Sequence, residues 1–379
     1  MFLTHMQGVL TSHQQQVLLT MPAALLAKLS RDCVDVSLLS AGLSNQNFRL
    51  HCREGDKVLR VNTQASDWCN RQLEIDCWQQ AHGQKLAPAL LWYSPCYQFY
   101  ISEFIEQPLF NWSDLYCEKG IESLPLQQDQ CLKQHFSSQL LAGHLTEDKY
   151  SNQSNQQGYQ IEQVHKQDPS SLLVELLTRL HQLPVPKQVM SVTGQYQQYL
   201  TQLQTLAQHQ QDYPAQAQLG HSWQRSFTLF THTVTDIKHW LATLEQCLIK
   251  PCFCHRDLSP FNILLAADAK QQKLVCIDFE YAVASHPLFD LASVLATHSL
   301  SRAQYDVVIE QYIGFQLSLP SPNLTGDCYL AVDAAINLFW TFAAMWALLM
   351  LAKTADDHGP ANQVDYQAYF EQYLKLIGR

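Results

Sequence analysis

A His, an Asp and an Asn lie within eight positions in "CHRDLSPFNILL", residues 254–265, and a second Asp closes a later apolar run in "CIDFEYA". The segments "NILLA", 262–266, and "KLVCID", 273–278, are separated by "ADAKQQ" and predict a hairpin. Asn262 then begins one strand and Asp278 ends the other, at the same end of an antiparallel pair. Asp257 sits on the loop just before them, which also contains Pro260. Asp and Asn oxygens are what hard Mg2+ prefers, with substrate phosphates completing its shell. A further carboxylate on a neighbouring loop can accept a hydroxyl proton and aim the nucleophile. Phosphoryl transfer asks for little beyond that positioning and charge neutralisation. A lone Asp is an ordinary turn former, but H-x-D-x-x-x-x-N followed by a strand ending I-D-F-E is hard to obtain that way.

These side chains need a scaffold, and the flanking pattern predicts one. "VDVSLL", "NFRLHC" and "KVLRVN" within residues 34–62 read as strands, with "SAGLSNQ" and "REGD" as turns. "DWCNRQLEIDCWQQAHG" has helical spacing and ends on Gly83. "ALLWYS" and "QFYISEFIE" follow as two more strands. Residues 107–168 are rich in Gln, Ser, Asn and Asp, as in "KYSNQSNQQGYQIEQVHKQ", and predict an inserted surface segment. "SLLVELLTRLHQLPVP" is an amphipathic helix stopped by Pro184 and Pro186; helices continue to about 250 and resume after 279. The expected organisation is a lobe over 1–106 with a hinge at 102–106, an insertion over 107–168, and a helical lobe over 169–379.

"CHRDLSPFNILL…LVCIDFEYA…FDLA" resembles the choline/ethanolamine kinase and aminoglycoside phosphotransferase superfamily, and is nearest to choline kinase-like enzymes. The resemblance implies an α+β, two-lobed protein-kinase-like fold. Its small lobe is an antiparallel sheet with one helix, and its larger lobe is mainly helical. It implies ATP and Mg2+ as cofactors, Asp257 as catalytic base, His255 as support for the catalytic loop, and Asn262 and Asp278 as metal ligands. "SAGLSNQNFRL", 40–50, resembles the phosphate-covering loop of choline kinase-like enzymes, which gives Ser44 and Asn45 the task of meeting phosphate; an ordinary hairpin turn is the alternative. Arg60 in "KVLRVN" holds the place of the strand cation that grips the α/β-phosphates, and its fork suits them. Its carboxylate partner on the next helix would be Glu74, with Asp76 second. Backbone groups of Glu103 and Ile105 in the hinge would read adenine.

The acceptor is less sharply written. "FWTFAAMWALLMLAK…VDYQAYFEQYLKL" is similar to the choline kinase tail, whose aromatic rings surround a quaternary ammonium. Trp346 matches one ring of that cage, Tyr281 a second and Tyr366 a third. Ala343 stands where another Trp is expected, and the spacing puts Trp340 off the face of Trp346. Core aromatics are the plain alternative. Asp290 in "FDLA" is expected to accept hydrogen bonds from the catalytic loop. The resemblance implies a small cationic alcohol, choline or ethanolamine first, then thiamine, then an aminoglycoside. A catalytically silent binding protein is the rival class, and its sign would be a lost base or metal ligand.

Bulk composition narrows the classes further. Of 379 residues 47% are hydrophobic and 15% charged, the balance of a chain with a sizeable core. The formal net charge of −10 speaks against a nucleic-acid surface, which needs clustered Lys and Arg. Twelve scattered cysteines and an N-terminal stretch without a basic region and apolar core suggest reduced thiols in a cytoplasmic protein. "CFCH", 252–255, lacks a second Cys/His pair, so no zinc site is expected. "AAINLFWTFAAMWALLMLA", 334–352, is uncharged and near membrane-spanning length, but a buried core helix explains it and no membrane insertion is expected.

Overall fold

The computed structural model describes residues 2–6, 10–41, 45–62, 69–107, 168–212, 221–268, 271–354 and 364–378. Five strands, β1 (Cys33–Ala41), β2 (Asn45–Cys52), β3 (Lys57–Asn62), β4 (Leu90–Tyr93) and β5 (Phe99–Glu103), form one antiparallel sheet in the order β1-β2-β3-β5-β4. The two-residue period of β3 sends Leu59 and Val61 to one face and Arg60 and Asn62 to the other, and all four are buried.

Three N-terminal helices cover the Leu59/Val61 face: α1 (Phe2–Met6), α2 (Ser12–Leu18) and α3 (Ala23–Asp32). Phe2, Met6, Leu10, Leu18, Met21 and Leu29 pack there with Phe48, Leu50, Leu59, Val61 and Phe99. The one helix expected with the sheet comes later, between β3 and β4, and these three add to it. Their signal was thin: α2 has only seven residues, although Thr11 and Gln14 form a reciprocal capping box at its start.

The helix between β3 and β4 is α4 (Arg71–Gly83). Its first turn is capped by the Asn70 side chain, which accepts the Leu73 amide at 3.1 Å. Its buried face turns away from the sheet core. Ile75, Cys77, Trp78 and Ala81 join the large helical core instead. Trp78 stacks on Phe279 at 6.2 Å and donates its indole N–H to Pro88 O at 2.9 Å. Cys77 contacts Ala282 O at 3.8 Å.

That core is built from α5 (Pro169–Leu180), α6 (Val192–Asp212), α7 (His221–Thr233), α8 (Ile237–Cys247), α9 (Pro287–Thr297), α10 (Arg302–Ser318), α11 (Val332–Thr354) and α12 (Tyr366–Leu376). The apolar stretch expected to be a core helix is α11, which packs against α6, α7, α8, α9 and α12. One helical stretch among the described residues, Gly326–Lys353, is long and apolar enough to cross a membrane, and 61% of its most apolar window is buried within the protein.

The expected hairpin is β7 (Ile263–Asp268) with β8 (Gln271–Cys276), and β6 (Cys252–Cys254) pairs with β9 (Val283–Ser285) behind it. Its ends differ slightly from expectation. Asn262 closes a 3-10 turn, Pro260–Asn262, rather than opening the strand, and Asp278 lies two residues beyond β8. The Ile277 amide still bonds Asn262 O at 3.0 Å, so the two segments stay zipped together up to the functional residues.

Candidate active site

The loop bearing Asp257 is fixed from below by one buried carboxylate. Asp290, in the first turn of α9, accepts the backbone amides of His255 at 2.8 Å and Arg256 at 2.7 Å. Arg256 adopts a left-handed conformation, φ 71°, which turns the two consecutive amides toward one acceptor. His181 Nε2 lies 3.1 Å from Asp290, with Tyr312 hydroxyl 2.7 Å from its other ring nitrogen. Burial alone would lower the His181 pKa, but the bonds and charges of Asp290 and Cys254 together push it up to about 9. Burial would raise Asp290, and the bond and charge of His181 hold it below the usual carboxylate value. Two further bonds complete the anchor: Ser293 hydroxyl accepts the Leu258 amide at 3.0 Å, and His298 Nε2 donates to Leu258 O at 2.9 Å.

His255 is wholly buried and joins this loop to the hairpin. Its Nε2 donates to Ile277 O at 3.0 Å, its Nδ1 faces the Asp257 amide at 3.4 Å, and its ring lies 4.8 Å from that of Phe279. Burial lowers its pKa against the pull of Asp290 and Asp278, which favours the neutral ring. Asp257 is half-buried, and its Oδ2 accepts Asn262 Nδ2 at 2.7 Å. Burial, then the charge of Asp278, raise its pKa to about 6 against the bond from Asn262.

Asn262 spends its Nδ2 on Asp257, bonding the carboxylate and also the backbone carbonyl at 3.1 Å. That fixes which end of the carboxamide is the oxygen and leaves Oδ1 for another partner. Asp278, held at φ 64°, directly follows Ile277, whose amide bonds Asn262 O at 3.0 Å, and so lies beside Asn262. Carboxylate and carboxamide oxygens are a donor set that fits Mg2+.

Arg60 joins the sheet to this group. Its Nη1 lies 2.8 Å from Asp278 Oδ1 and 3.3 Å from Glu74 Oε1, its Nη2 3.3 Å from Glu280 Oε2, and its Nε donates to Asn62 at 2.8 Å. Glu74 is fully buried and also accepts Arg71 Nη1 at 2.8 Å and the Tyr100 hydroxyl at 3.0 Å. The second candidate partner, Asp76, is exposed and takes Gln72 Nε2 at 2.8 Å instead. Arg71 further reaches Glu280 at 3.4 Å. Burial and the charge of Asp278 push Glu280 up to about 7, against Arg60 and Arg71. Two guanidinium groups thus face the carboxyls of Glu74, Asp278 and Glu280, an excess of acid that suits an incoming cation. Sequence reasoning missed Arg71; its only signal was i,i+3 spacing to Glu74.

The remaining nucleotide-side expectations divide. Asn45 is buried on β2 opposite Asn62 on β3, at the sheet end that bears Arg60. Ser44 lies outside the described residues, as does nearly all of the 107–168 insertion. The Glu103 amide is taken by Ala89 O at 3.0 Å and its carboxylate accepts the Ala89 amide at 3.1 Å. The Ile105 carbonyl accepts Gln107 Nε2 at 3.3 Å, so the Glu103 carbonyl and the Ile105 amide are the hinge groups that could offer themselves to a base.

On the acceptor side, Trp346 and Tyr366 meet each other edge to face at 5.6 Å. Another ring of the α11–α12 pair is Tyr373, whose pKa is raised by burial, then by Tyr369 and Asp257. Tyr373 stacks on Trp340 at 5.6 Å, so Trp340 joins this wall although its spacing put it off the Trp346 face. Tyr281 is raised far above its ordinary value by burial, then Glu280, Tyr199, Asp257 and Asp278. Tyr199, whose pKa burial pushes up to about 12, also feels Asp257 and stacks on Phe342 at 6.1 Å.

The buried thiols form one further cluster, His181 with Cys252 and Cys254, whose ligand atoms lie within 4.8 Å of one another. Both His181 nitrogens already face Tyr312 and Asp290, which leaves neither lone pair for a metal.

Residues 152–321 match the model of the phosphotransferase enzyme family. Protein LicA of Haemophilus influenzae is 32% identical over 152 residues, 40% of this chain and 39% of that protein. LicA of Haemophilus influenzae strain Rd is 30% identical over 152 residues, 49% of its length. The chain therefore matches less than half of each curated relative. Among solved structures, choline kinase LicA from Streptococcus pneumoniae superposes with a TM-score of 0.58 at 14% identity, over 96% of this chain and 98% of that one. A choline/ethanolamine kinase family protein from Mesorhizobium loti gives 0.55 at 15% identity, over 96% and 92%. LicA in complex with AMP gives 0.54 at 13% identity, over 94% and 97%. At such identities the likeness shows the fold, the two-lobed protein-kinase-like architecture.

Proposed function

We propose that this chain, which carries a phosphotransferase-family domain across residues 152–321, moves a phosphoryl group from a nucleoside triphosphate to the hydroxyl of a small alcohol. The observation that carries the reading is the contiguity of Asp257, Asn262, Asp278 and Arg60. Asn262 bonds Asp257 at 2.7 Å, Arg60 bonds Asp278 at 2.8 Å, and the Ile277 amide ties the segment bearing Asp278 to Asn262 O at 3.0 Å.

In this reading Asn262 Oδ1 and Asp278 would hold Mg2+, which when bound neutralises phosphate oxygens. Arg60 turns its fork from Asp278 toward the phosphates, while Glu74 and Glu280 keep the guanidinium in place. Asn45 and Ser44 donate to the phosphates, and the Glu103–Ile105 backbone holds the base, taken here as adenine. Asp257 accepts the proton of the acceptor hydroxyl and aims its oxygen. A carboxyl poised at about 6 is ionised at neutral pH yet basic enough to take that proton. His255 and Asp290 act through the loop and touch no reactant.

For the acceptor we favour choline or ethanolamine. Tyr199, Tyr281 and Tyr373 stand in the electrostatic reach of Asp257, and their ring faces would suit an ammonium head. Trp340 backs this wall; Trp346 and Tyr366 extend it. The choline kinase named among the structural neighbours is consistent with that choice. The test is ATP consumption with Mg2+ across choline, ethanolamine, thiamine and an aminoglycoside. Turnover on choline or ethanolamine is expected; turnover confined to another acceptor would overturn the choice of substrate, and none on any would overturn the phosphotransferase reading.

A further inference from the structure

The hinge segment alternates between its two neighbours. Phe104 lies under the Arg49 guanidinium at 4.0 Å, and Glu106 accepts Arg49 Nη2 at 2.7 Å, so the even positions are held to the sheet. The odd positions turn to the hairpin. Gln107 Nε2 donates to Ile105 O at 3.3 Å and to Leu265 O at 3.5 Å, and Gln107 Oε1 accepts the Leu265 amide at 3.1 Å.

The register of the hairpin explains why Leu265 is available. The bond from the Ile277 amide to Asn262 O makes that pair a hydrogen-bonded one, and an antiparallel ladder alternates. Leu265, three residues on and opposite Leu274, therefore falls in a non-hydrogen-bonded pair. Its N–H and C=O face away from β8, on the open edge of a two-stranded sheet. The Gln107 carboxamide supplies a donor and an acceptor there, as a neighbouring strand would. Only one orientation of the amide satisfies both.

We propose that Gln107 is a positioning residue that latches the hinge to the metal-side hairpin and so sets the reach between base and phosphates of a bound nucleotide. This rests on the phosphotransferase reading above. β7 starts at Ile263, next to Asn262, and runs through Leu265, and Gln107 ties that strand to Ile105, so one side chain connects the segment that would read the base to the one that would hold the metal. A nucleotide entering an unlatched cleft must order the hinge itself, which weakens binding without altering the group that takes the proton.

The test compares wild type, Gln107→Ala and Gln107→Glu by three measurements. These are hydrogen exchange of the peptide spanning Leu265, equilibrium binding of ATP with Mg2+, and turnover at saturating ATP. Faster exchange in both variants is expected. So are five- to tenfold weaker ATP binding, on the order of one net hydrogen bond, and kcat within about twofold of wild type. Gln107→Glu keeps the acceptor and the bulk but loses the donor, so its behaving like Gln107→Ala assigns the effect to hydrogen bonding rather than packing. Unchanged exchange at Leu265 in Gln107→Ala overturns the latch, and unchanged ATP affinity overturns its role in binding. Wild type that binds no nucleotide overturns the phosphotransferase reading, an outcome the exchange data keep separate.

Discussion

Arg60 Nη1 lies 2.8 Å from Asp278 Oδ1, so the strand cation rests on the carboxylate proposed to hold the metal. Cation and metal therefore compete for one oxygen ligand until phosphate offers the guanidinium another seat. Arg60→Gln should bind Mn2+ alone more tightly than wild type, by paramagnetic resonance titration, because a buried positive charge has been removed. Its turnover with ATP should fall by at least about a hundredfold, on the scale of losing a charge that stabilises transferring phosphate. Equal or weaker Mn2+ binding would contradict the competition.

Asp257→Asn preserves shape but cannot take a proton. Turnover should fall by at least about a hundredfold while ATP affinity changes little, since the general base contributes to the chemical step rather than to nucleotide binding. Steady-state kinetics paired with equilibrium binding separate the two. Unchanged turnover would remove Asp257 from its role.

The His181–Asp290 pair ties stability to pH. The folded His181 pKa of about 9 stands above the 6.5 of a free imidazole, so its contribution is complete below pH 6.5 and is lost as pH rises through about 9. Urea unfolding should show stability declining in that window by up to about 1.4 kcal/mol per pH unit. Asp290 has the opposite sense: its contribution is present above 3.8 and lost as pH falls through its lowered folded value. Above pH 9, buried thiols such as Cys254 and Cys276, raised mainly by burial, steepen the alkaline loss. His181→Gln should flatten the slope between pH 7 and 8.5; an unaltered slope would show that another group carries it.

Tyr373 and Trp346 make different predictions for the acceptor. Tyr373→Ala should raise the KM for choline about tenfold with the KM for ATP unchanged, on the scale of one cation–π contact, ~0.5–2 kcal/mol. Trp346→Ala should move it less, because Trp346 packs on Tyr366 while Tyr373 feels Asp257. The reverse order would restore Trp346 as the principal ring.

What could be read from the chain in advance was chemistry written locally. His255, Asp257 and Asn262 are constrained by spacing within one loop, and Asp278 by the hairpin that follows. Arg60 and Glu74 were named through the resemblance, and the structure puts their side chains 3.3 Å apart. Arg71 and the double engagement of Glu280 were not legible, since nothing local says that the start of α4 will lie over the residues after β8. How the tail aromatics pair was not legible for a related reason. Helical spacing correctly separates Trp340 from Trp346, but the seat of α12 decides which of them has Tyr373 beside it. The helices α1 and α2 escaped because five- and seven-residue helices carry too few turns for a periodic signal; α3, with ten residues, was not read from the chain.

The rooting of α4 in the helical core has a last consequence. Swinging that helix outward would strand the Trp78 indole and empty the space beside Phe279, a penalty of about 3–5 kcal/mol by analogy with large aromatic truncations. Glu74 thus stays at its post whether or not a substrate is present. In the proposed reaction Arg60 would find that carboxylate waiting, with no helix movement to await.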